Sequence, residues 1–189
     1  MGMIKSMSDR QVYQIVIAYW FGELSPDMWW MKSAELDSTI EAKFSSIHKQ
    51  ARQGELYKWR NTPEGALAEV LILDQFSRNI FRDRPESFSC DAMALVLAQS
   101  AIEKGYDQEL ESQMRCFLYM PYMHSESTVI HEQAVKLFST LDTRNNLDFE
   151  LKHKAIIDRF GRYPHRNEIL GRESTAEELA FLQQPNSSF

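Results

Sequence analysis

Two arginine-rich segments, residues 78–84 and residues 159–172, interrupt an otherwise acidic chain. Their arginines outnumber their acidic residues by three to one and by four to one. A guanidinium group is planar and can bind a carboxylate or a phosphate through two parallel hydrogen bonds. The two segments could therefore bind an anionic ligand. They could equally join helices by pairing with buried carboxylates such as Asp74 or Asp158.

Histidine residues form a second group that could carry out chemistry. His124 and Glu126 are two residues apart and follow Pro121, which we expect to end or kink a helix. An imidazole beside a carboxylate can perform general acid–base catalysis or bind a divalent metal. His153 falls on an apolar helix face, where a hydrogen-bonded core histidine is expected, and His165 lies in the second arginine-rich segment.

Several common catalytic signatures are missing from the sequence. The glycines show no G-x-G spacing that would cradle a phosphate, and no serine lies in a G-x-S-x-G turn. His131-Glu132 lacks the second histidine that a zinc-protease helix carries at the fifth position of its motif. We therefore expect no cofactor and no bound metal, since no ligand spacing in the sequence is diagnostic of a metal site.

The composition excludes several classes of protein. The 189 residues carry a formal net charge of −6, which argues against general nucleic-acid binding and against docking to anionic lipid. The longest apolar run, residues 15–21, is far shorter than the ~20 residues that a membrane span needs. Two cysteines fit a reducing compartment better than a disulfide framework. We expect a cytoplasmic protein without membrane or nucleic-acid partners, and the sequence leaves its oligomeric state open.

Apolar residues recur with helical spacing along nearly the whole chain. Residues 36–51 place a row of apolar side chains on one helix face, and residues 66–76 are apolar almost all round, which predicts a central, buried helix. Ser174 and Glu177 match a capping box for a last short helix. No segment alternates with the period of a strand. The sequence predicts an all-α fold, an antiparallel array of about seven to nine helices in a single domain, residues 1–189.

Three blocks of sequence resemble the signature blocks of a known family. They are LDQFSRNIFR at residues 73–82, YMPYMHSE at residues 119–126, and RFGRYPHRN at residues 159–167, which LGREST follows at residues 170–175. In this order they are similar to the domain-of-unknown-function 924 family, a mainly bacterial family, over almost the whole chain. The resemblance implies a helical, tetratricopeptide-like fold. It implies no established reaction, substrate or cofactor.

The arginine and histidine groups coincide with these blocks, and we expect them to converge on one concave polar site. The expected ligand-binding residues are Arg78, Asn79, Arg82, His124, Arg162, His165, Arg166 and Asn167. In this hypothesis Arg82, Arg162 and Arg166 hold a small anionic ligand or an acidic peptide end. Asn79 and Asn167 orient that ligand, and the flanking aromatic residues exclude water.

Two other functions stay open at this point. In a hydrolase, His124 would act as the base, Glu126 would orient it, and the arginines would stabilise developing negative charge. A metal held by His124, Glu126 and His165 is a variant of that mechanism. The third alternative is a scaffold whose motifs only fasten helices together.

Overall fold

The computed structural model describes residues 9–142, 144–185 and 187. Within these ranges all regular secondary structure is helical, and no strand occurs in them. The predicted all-α fold is therefore confirmed. None of the helices in this part of the chain is long and apolar enough to cross a lipid bilayer.

The α-helices are numbered in chain order. Their bounds are α1 Asp9–Ala18, α2 Ala34–Arg52, α3 Pro63–Leu71, α4 Ser77–Ile80, α5 Asp91–Glu103, α6 Ser112–Met123, α7 Thr128–Phe138, α8 Arg144–Phe160 and α9 Ala176–Leu182. Short 3₁₀-helical segments connect several of them, and one of these, Pro164–Arg166, follows α8. Pro121 lies inside α6, which ends at Met123.

The last helix begins one residue later than the sequence pattern suggested. Thr175 and Glu178 form the capping box of α9, because the side chain of each accepts a hydrogen bond from the backbone N–H of the other. The pattern of a hydroxyl residue followed three positions later by a glutamate fits both this pair and the pair Ser174 and Glu177. The spacing alone could not decide between the two.

One nearly continuous helical segment forms the centre of the fold. α3 passes through a π-helical turn, Ile72–Phe76, directly into α4. Every residue of Ala66–Phe76 is buried, as the all-round apolar pattern predicts. Single π-helical turns within an α-helix often occur at functional sites. This turn carries a carboxylate, Asp74, into the protein interior.

Aromatic side chains fill the core beside this central segment. Trp20 and Phe117 pack edge to face with ring centroids 5.6 Å apart, and Phe76 contacts both Trp20 and Phe44. A smaller apolar cluster is formed by α8 together with Tyr163. It is joined to the main core by the Tyr163 hydroxyl, which donates a hydrogen bond to a backbone oxygen of α6. The candidate site lies beside this junction.

Gly65 allows a test of the packing at the start of α3. Thr62 caps this helix by accepting from the N–H of Gly65. A Cβ atom on Gly65 would lie 2.2 Å from the carbonyl oxygen of Trp59. Gly65→Ala should therefore lower the free energy of unfolding by about 1–3 kcal/mol, the usual cost of overpacking. Urea unfolding followed by circular dichroism measures the change.

Gly22→Ala is the matched control, because a Cβ atom at Gly22 meets nothing within 4 Å. This variant should keep the wild-type stability within about 0.5 kcal/mol, or gain slightly from lower entropy of the unfolded chain. Equal losses in the two variants would contradict the packing explanation.

Candidate functional site

A cavity of about 530 Å³ opens beside the start of α5 and the end of α6. Half of the residues that line it are apolar, and the other half are polar or charged. The polar lining residues are Ser89, Asp91, His124, Ser125, Glu126 and Arg166. Apolar walls with a few convergent polar groups are typical of small-molecule sites. The cavity is therefore the candidate binding site.

His124, the residue after α6, is held by a buried carboxylate. Its Nδ1 lies 2.7 Å from Oδ1 of Asp74. Asp74 is completely buried, and its Oδ2 accepts a hydrogen bond from Gln75 at 2.6 Å. Nε2 of His124 has no hydrogen-bond partner among the described residues, and the ring lines the cavity. One nitrogen of the imidazole is thus fixed, and the other is available to a ligand.

Burial and Arg78 set the charge state of this pair. Burial alone would raise the pKa of Asp74, but Arg78 and His124 hold it well below its usual value. Burial and the positive charge of Arg78 lower the pKa of His124, against the opposing effect of Asp74. At neutral pH the pair is therefore an aspartate and a neutral imidazole. With its proton on Nδ1, the imidazole has a lone pair on Nε2 that can accept a proton from a bound molecule.

Asp91, the first residue of α5, joins two arginines at the cavity. It accepts hydrogen bonds from Arg78 at 3.0 and 3.1 Å and from Arg166 at 3.2 Å. The guanidinium of Arg166 also lies over the rings of Phe88 and Tyr163, at 4.7 and 4.6 Å from their centroids. Arg166 is only 6% exposed. An ion pair and two cation–π contacts therefore fix its position.

The last carbonyl oxygen of α6 and the two that follow it each lie within hydrogen-bond distance of a side-chain donor. The pairs are Tyr163 with Met123, Arg166 with His124, and His131 with Ser125, at 2.5, 3.0 and 2.9 Å. The last carbonyl groups of an α-helix have no partner within the helix. These side chains supply the missing donors, and they fix the backbone that carries His124.

Glu126 does not orient His124, contrary to the expectation from the sequence. Its carboxylate accepts hydrogen bonds from Arg172 at 2.6 and 2.9 Å and from the backbone N–H of Tyr163 at 2.8 Å. Burial would raise the pKa of Glu126, but these hydrogen bonds hold it below its usual value. The carboxylate that orients the imidazole is Asp74, which lies 50 residues earlier in the chain.

The metal site considered from the sequence, at His124, Glu126 and His165, is not supported by this geometry. The carboxylate of Glu126 is occupied by Arg172, and one nitrogen of His124 is occupied by a different carboxylate. Across residues 9–142, 144–185 and 187, no three histidine, cysteine or acidic side chains are grouped so that they could hold a metal ion.

Asn79, Arg82 and Arg162 lie in other contacts and do not line the cavity. Asn79 and Arg82 both donate to Asp37 of α2, at 2.8 and 2.7 Å. Arg162 donates to both oxygens of Glu178 in α9, at 2.7 and 2.8 Å. The expected clamp of Arg82, Arg162 and Arg166 on one ligand is therefore not formed. Two of its arginines close ion pairs between elements instead.

His165 and Asn167 adjoin the site without lining the cavity. Asn167 accepts a hydrogen bond from Arg172 at 2.9 Å. His165 packs against the ring of Tyr163, and its buried Nδ1 has no partner among the described residues. Burial and the neighbouring Arg166 lower the pKa of His165 to about 4. Both residues lie in the turn that carries Arg166, and neither lines this cavity.

The cavity thus brings together a part of the predicted set. His124 and Arg166 line it, and Arg78 supports both through Asp74 and Asp91. The sequence does carry a signal for Asp74, because it lies in the predicted buried helix, residues 66–76, and Arg78 follows it four residues later. Sequence reasoning missed Asp91. Its two arginine partners lie 13 and 75 residues away, so no local pattern marks it.

Comparison with known proteins gives a family and a related structure. The model of a family described as "Bacterial protein of unknown function (DUF924)" matches residues 16–186. A solved structure of a protein of unknown function from Agrobacterium tumefaciens is 34% identical with a TM-score of 0.89, and the match covers 93% of this chain and 99% of that chain. No functionally curated protein gives a significant match. The related structure shares the fold of this chain, and its protein is likewise of unknown function.

Arg166→Ala tests how far the site depends on its buried ion pair. The substitution removes a partner of Asp91 and the donor to the carbonyl of His124. We expect the free energy of unfolding to fall by about 3 kcal/mol. That is the lower end of the cost of breaking a buried ion pair, because Asp91 keeps Arg78 as a second partner. Urea unfolding of the variant and the wild type gives the difference.

Arg159→Ala is the control from the same arginine-rich segment. Arg159 pairs with Glu177, and both side chains are about half exposed, at 47% and 63%. An exposed ion pair contributes less than about 1 kcal/mol, so this variant should be nearly as stable as the wild type. If Arg166→Ala were equally harmless, the ion pair with Asp91 would not hold the site together.

Proposed function

The chain belongs to DUF924, a bacterial family of unknown function, and we propose that it is a hydrolase with His124 as its general base. One observation carries this proposal. His124 lines a cavity of about 530 Å³, its Nε2 has no partner among the described residues, and its Nδ1 is bound to the buried carboxylate of Asp74. Such a carboxylate fixes the tautomer of the imidazole and stabilises the imidazolium that forms when Nε2 accepts a proton.

Water is the nucleophile in the proposed reaction. A water molecule between His124 and a substrate carbonyl gives a proton to Nε2 as its oxygen forms a bond to the carbonyl carbon. The imidazolium then returns this proton to the leaving group as the C–O or C–N bond breaks. The products are a carboxylic acid and an alcohol or amine, so the reaction needs no oxidant and no other reactant. Arg166, which lines the same cavity, stabilises negative charge on the carbonyl oxygen.

The lining of the cavity favours a neutral substrate that has an apolar part. The apolar lining residues are Pro85, Phe88, Ala92, Leu95, Pro121 and Leu170. The arginines beside the cavity are balanced by the carboxylates of Asp74, Asp91 and Glu126. No positive charge is left in excess to attract an anion. We therefore infer that the substrate is a small ester or amide with an apolar acyl group.

The two cysteines support a cytoplasmic location for this reaction. Cys90 and Cys116 are buried and form no disulfide. Burial raises the pKa of Cys116 to about 12, so this side chain is an unreactive thiol at neutral pH. Free, buried thiols are typical of proteins from reducing compartments.

Hydrolysis of short-chain p-nitrophenyl esters tests the proposed base. His124→Gln should lower kcat/KM by about 100-fold or more, the usual contribution of a general base. Asp74→Asn should also lower it, because the imidazole loses the group that orients it. The wild-type rate should rise with pH, and the midpoint of this rise should lie below pH 6.5. The base must be neutral to act, and burial together with Arg78 lowers the pKa of His124 from 6.5.

Asp37→Asn is the matched control for Asp74→Asn. Asp37 also binds an arginine and an amide side chain, but it does not line the cavity. This variant should keep the wild-type kcat/KM. Full activity in His124→Gln, or equal losses in the two aspartate variants, would rule out the proposed role of the Asp74–His124 pair.

Binding of a small anion without catalysis is a second candidate function, and Arg166 is the observation that favours it. Arg166 lines the cavity, and its Nε has no hydrogen-bond partner among the described residues. The guanidinium carries a positive charge that a carboxylate or a phosphate could approach. Against this candidate stand the ion pair of Arg166 with Asp91 and the balance of charge around the cavity.

Benzamide and benzoate separate the two functions, because they share a ring and differ in charge. We expect benzamide to raise the melting temperature of the protein more than benzoate does at the same concentration. A ligand at about a hundredfold excess over its Kd adds about 2.7 kcal/mol of stability, which thermal unfolding detects. Stabilisation by benzoate or inorganic phosphate, with none by benzamide, would favour the anion-binding function.

A further inference from the structure

His131 and Glu150 form a completely buried pair next to the cavity-lining residue Ser125. Nδ1 of His131 lies 2.7 Å from Oε1 of Glu150, and neither side chain is exposed. Nε2 of His131 lies 2.9 Å from the carbonyl oxygen of Ser125, the residue that follows His124. This contact connects the pair to the backbone beside the proposed base.

Both ring nitrogens of His131 face hydrogen-bond acceptors. A backbone carbonyl can only accept, so Nε2 must carry a proton in order to bind Ser125. The hydroxyl of Tyr163, 3.2 Å from Nε2, gives its own proton to the carbonyl of Met123 and so presents a lone pair to the ring. An ionised Glu150 would also only accept, and Nδ1 would then need a proton too.

Two arrangements of protons satisfy these contacts. In one, His131 is an imidazolium and Glu150 is a carboxylate. In the other, Glu150 is protonated and donates to Nδ1 of a neutral ring. Both contain one proton more than a separate histidine and glutamate hold at neutral pH. Burial also favours the additional proton, since it raises the pKa of Glu150 against the opposing effect of His131.

The surroundings of the pair do not remove the need for the second proton. The titratable and charged groups that face the pair, or the ring of Tyr163 beside it, are Tyr163, His153, Lys154, His124, His165, Glu126, Arg166 and Arg78. Burial keeps His153 neutral by lowering its pKa to about 3. Lys154 donates to Asp158 at 2.6 and 2.8 Å, and Oε2 of Glu150 has no hydrogen-bond partner among the described residues.

We propose that this pair keeps both protons at neutral pH and so positions His124 through the carbonyl of Ser125. When the pair loses one proton at alkaline pH, one contact of His131 is left without a hydrogen. Its ring nitrogen then faces another acceptor, which is either the carbonyl oxygen of Ser125 or the carboxylate of Glu150. In the first case, the hydroxyl of Tyr163 can turn away from the carbonyl oxygen of Met123 and donate to Nε2 of His131. That turn frees a carbonyl oxygen of α6 and loosens the segment that carries the base. The effect on catalysis rests on the proposed function, whereas the proton count does not.

Proton release on unfolding tests the proton count. Slightly above neutral pH, the wild type should release about one proton more on unfolding than Glu150→Gln, because the unfolded histidine and glutamate hold only one proton between them. Glutamine preserves the contact, since its amide can donate to Nδ1 of a neutral His131. Calorimetric unfolding in two buffers with different ionisation enthalpies measures the difference. Equal release from the two proteins would overturn the proposal.

NMR of the wild-type protein answers the same question if Glu150→Gln does not fold. Long-range ¹H–¹⁵N spectra show which nitrogens of His131 carry protons, and the carboxyl ¹³C shift shows whether Glu150 is ionised. An imidazolium beside a carboxylate supports the proposal, and so does a neutral ring beside a protonated carboxyl group. A neutral ring beside an ionised carboxylate would overturn it.

The pH profile of ester hydrolysis is a readout that a merely structural role would not change. The wild-type rate should fall at alkaline pH as the pair loses its proton and His124 loses its fixed position. Glu150→Gln has no such proton to lose, so its rate should not show this fall. An alkaline fall that persists in Glu150→Gln would overturn the positioning role. If neither protein hydrolyses an ester, the proposed function fails, and the proton count still decides this inference.

Discussion

Hydrogen bonds to three successive carbonyl oxygens, the last of α6 and the two that follow it, hold the candidate site together. These oxygens have no partner within the helix, and leaving each one buried without a donor would cost about 1–3 kcal/mol. The donors come from α7 and from the segment that follows α8, so both elements must pack against α6 in one arrangement. His124 follows α6 directly. The contacts that stabilise the fold therefore also fix the direction of its imidazole.

A second constraint is the charge of Asp74, which the π-helical turn carries into the protein interior. A buried carboxylate is tolerated only where partners compensate for its lost hydration. Arg78, His124 and Gln75 provide that compensation, and the pKa of Asp74 lies below its usual value despite its burial. The aspartate–histidine pair is thus part of what makes this core possible. The packing of the core therefore holds the two side chains of the pair in this geometry without a ligand.

The sequence predicted the fold better than it predicted the site, and the reason is the range of the interactions. Helical periodicity is local, and even the one-residue error at Thr175 came from two equally good local patterns. The pairing of charges is not local. Arg82 binds Asp37, which lies 45 residues earlier, and Arg166 binds Asp91, which lies 75 residues earlier. Sequence reasoning selected the right types of residue, but it could not assign each arginine to its carboxylate.

Ion pairs that hold helices together and a site that binds a ligand can share residues. An unpaired polar atom on a side chain that lines a cavity distinguishes the second role from the first. Arg82 and Arg162 are fully accounted for by packing, since each forms a two-point contact with one carboxylate. Nε2 of His124 has no such partner among the described residues, and His124 lines an open cavity. Apolar surface that stays exposed to water loses the stabilisation of roughly 25 cal/mol per Å² that its burial would give. A packing role alone would favour closing the cavity, and it would not require an imidazole with one nitrogen fixed and the other available.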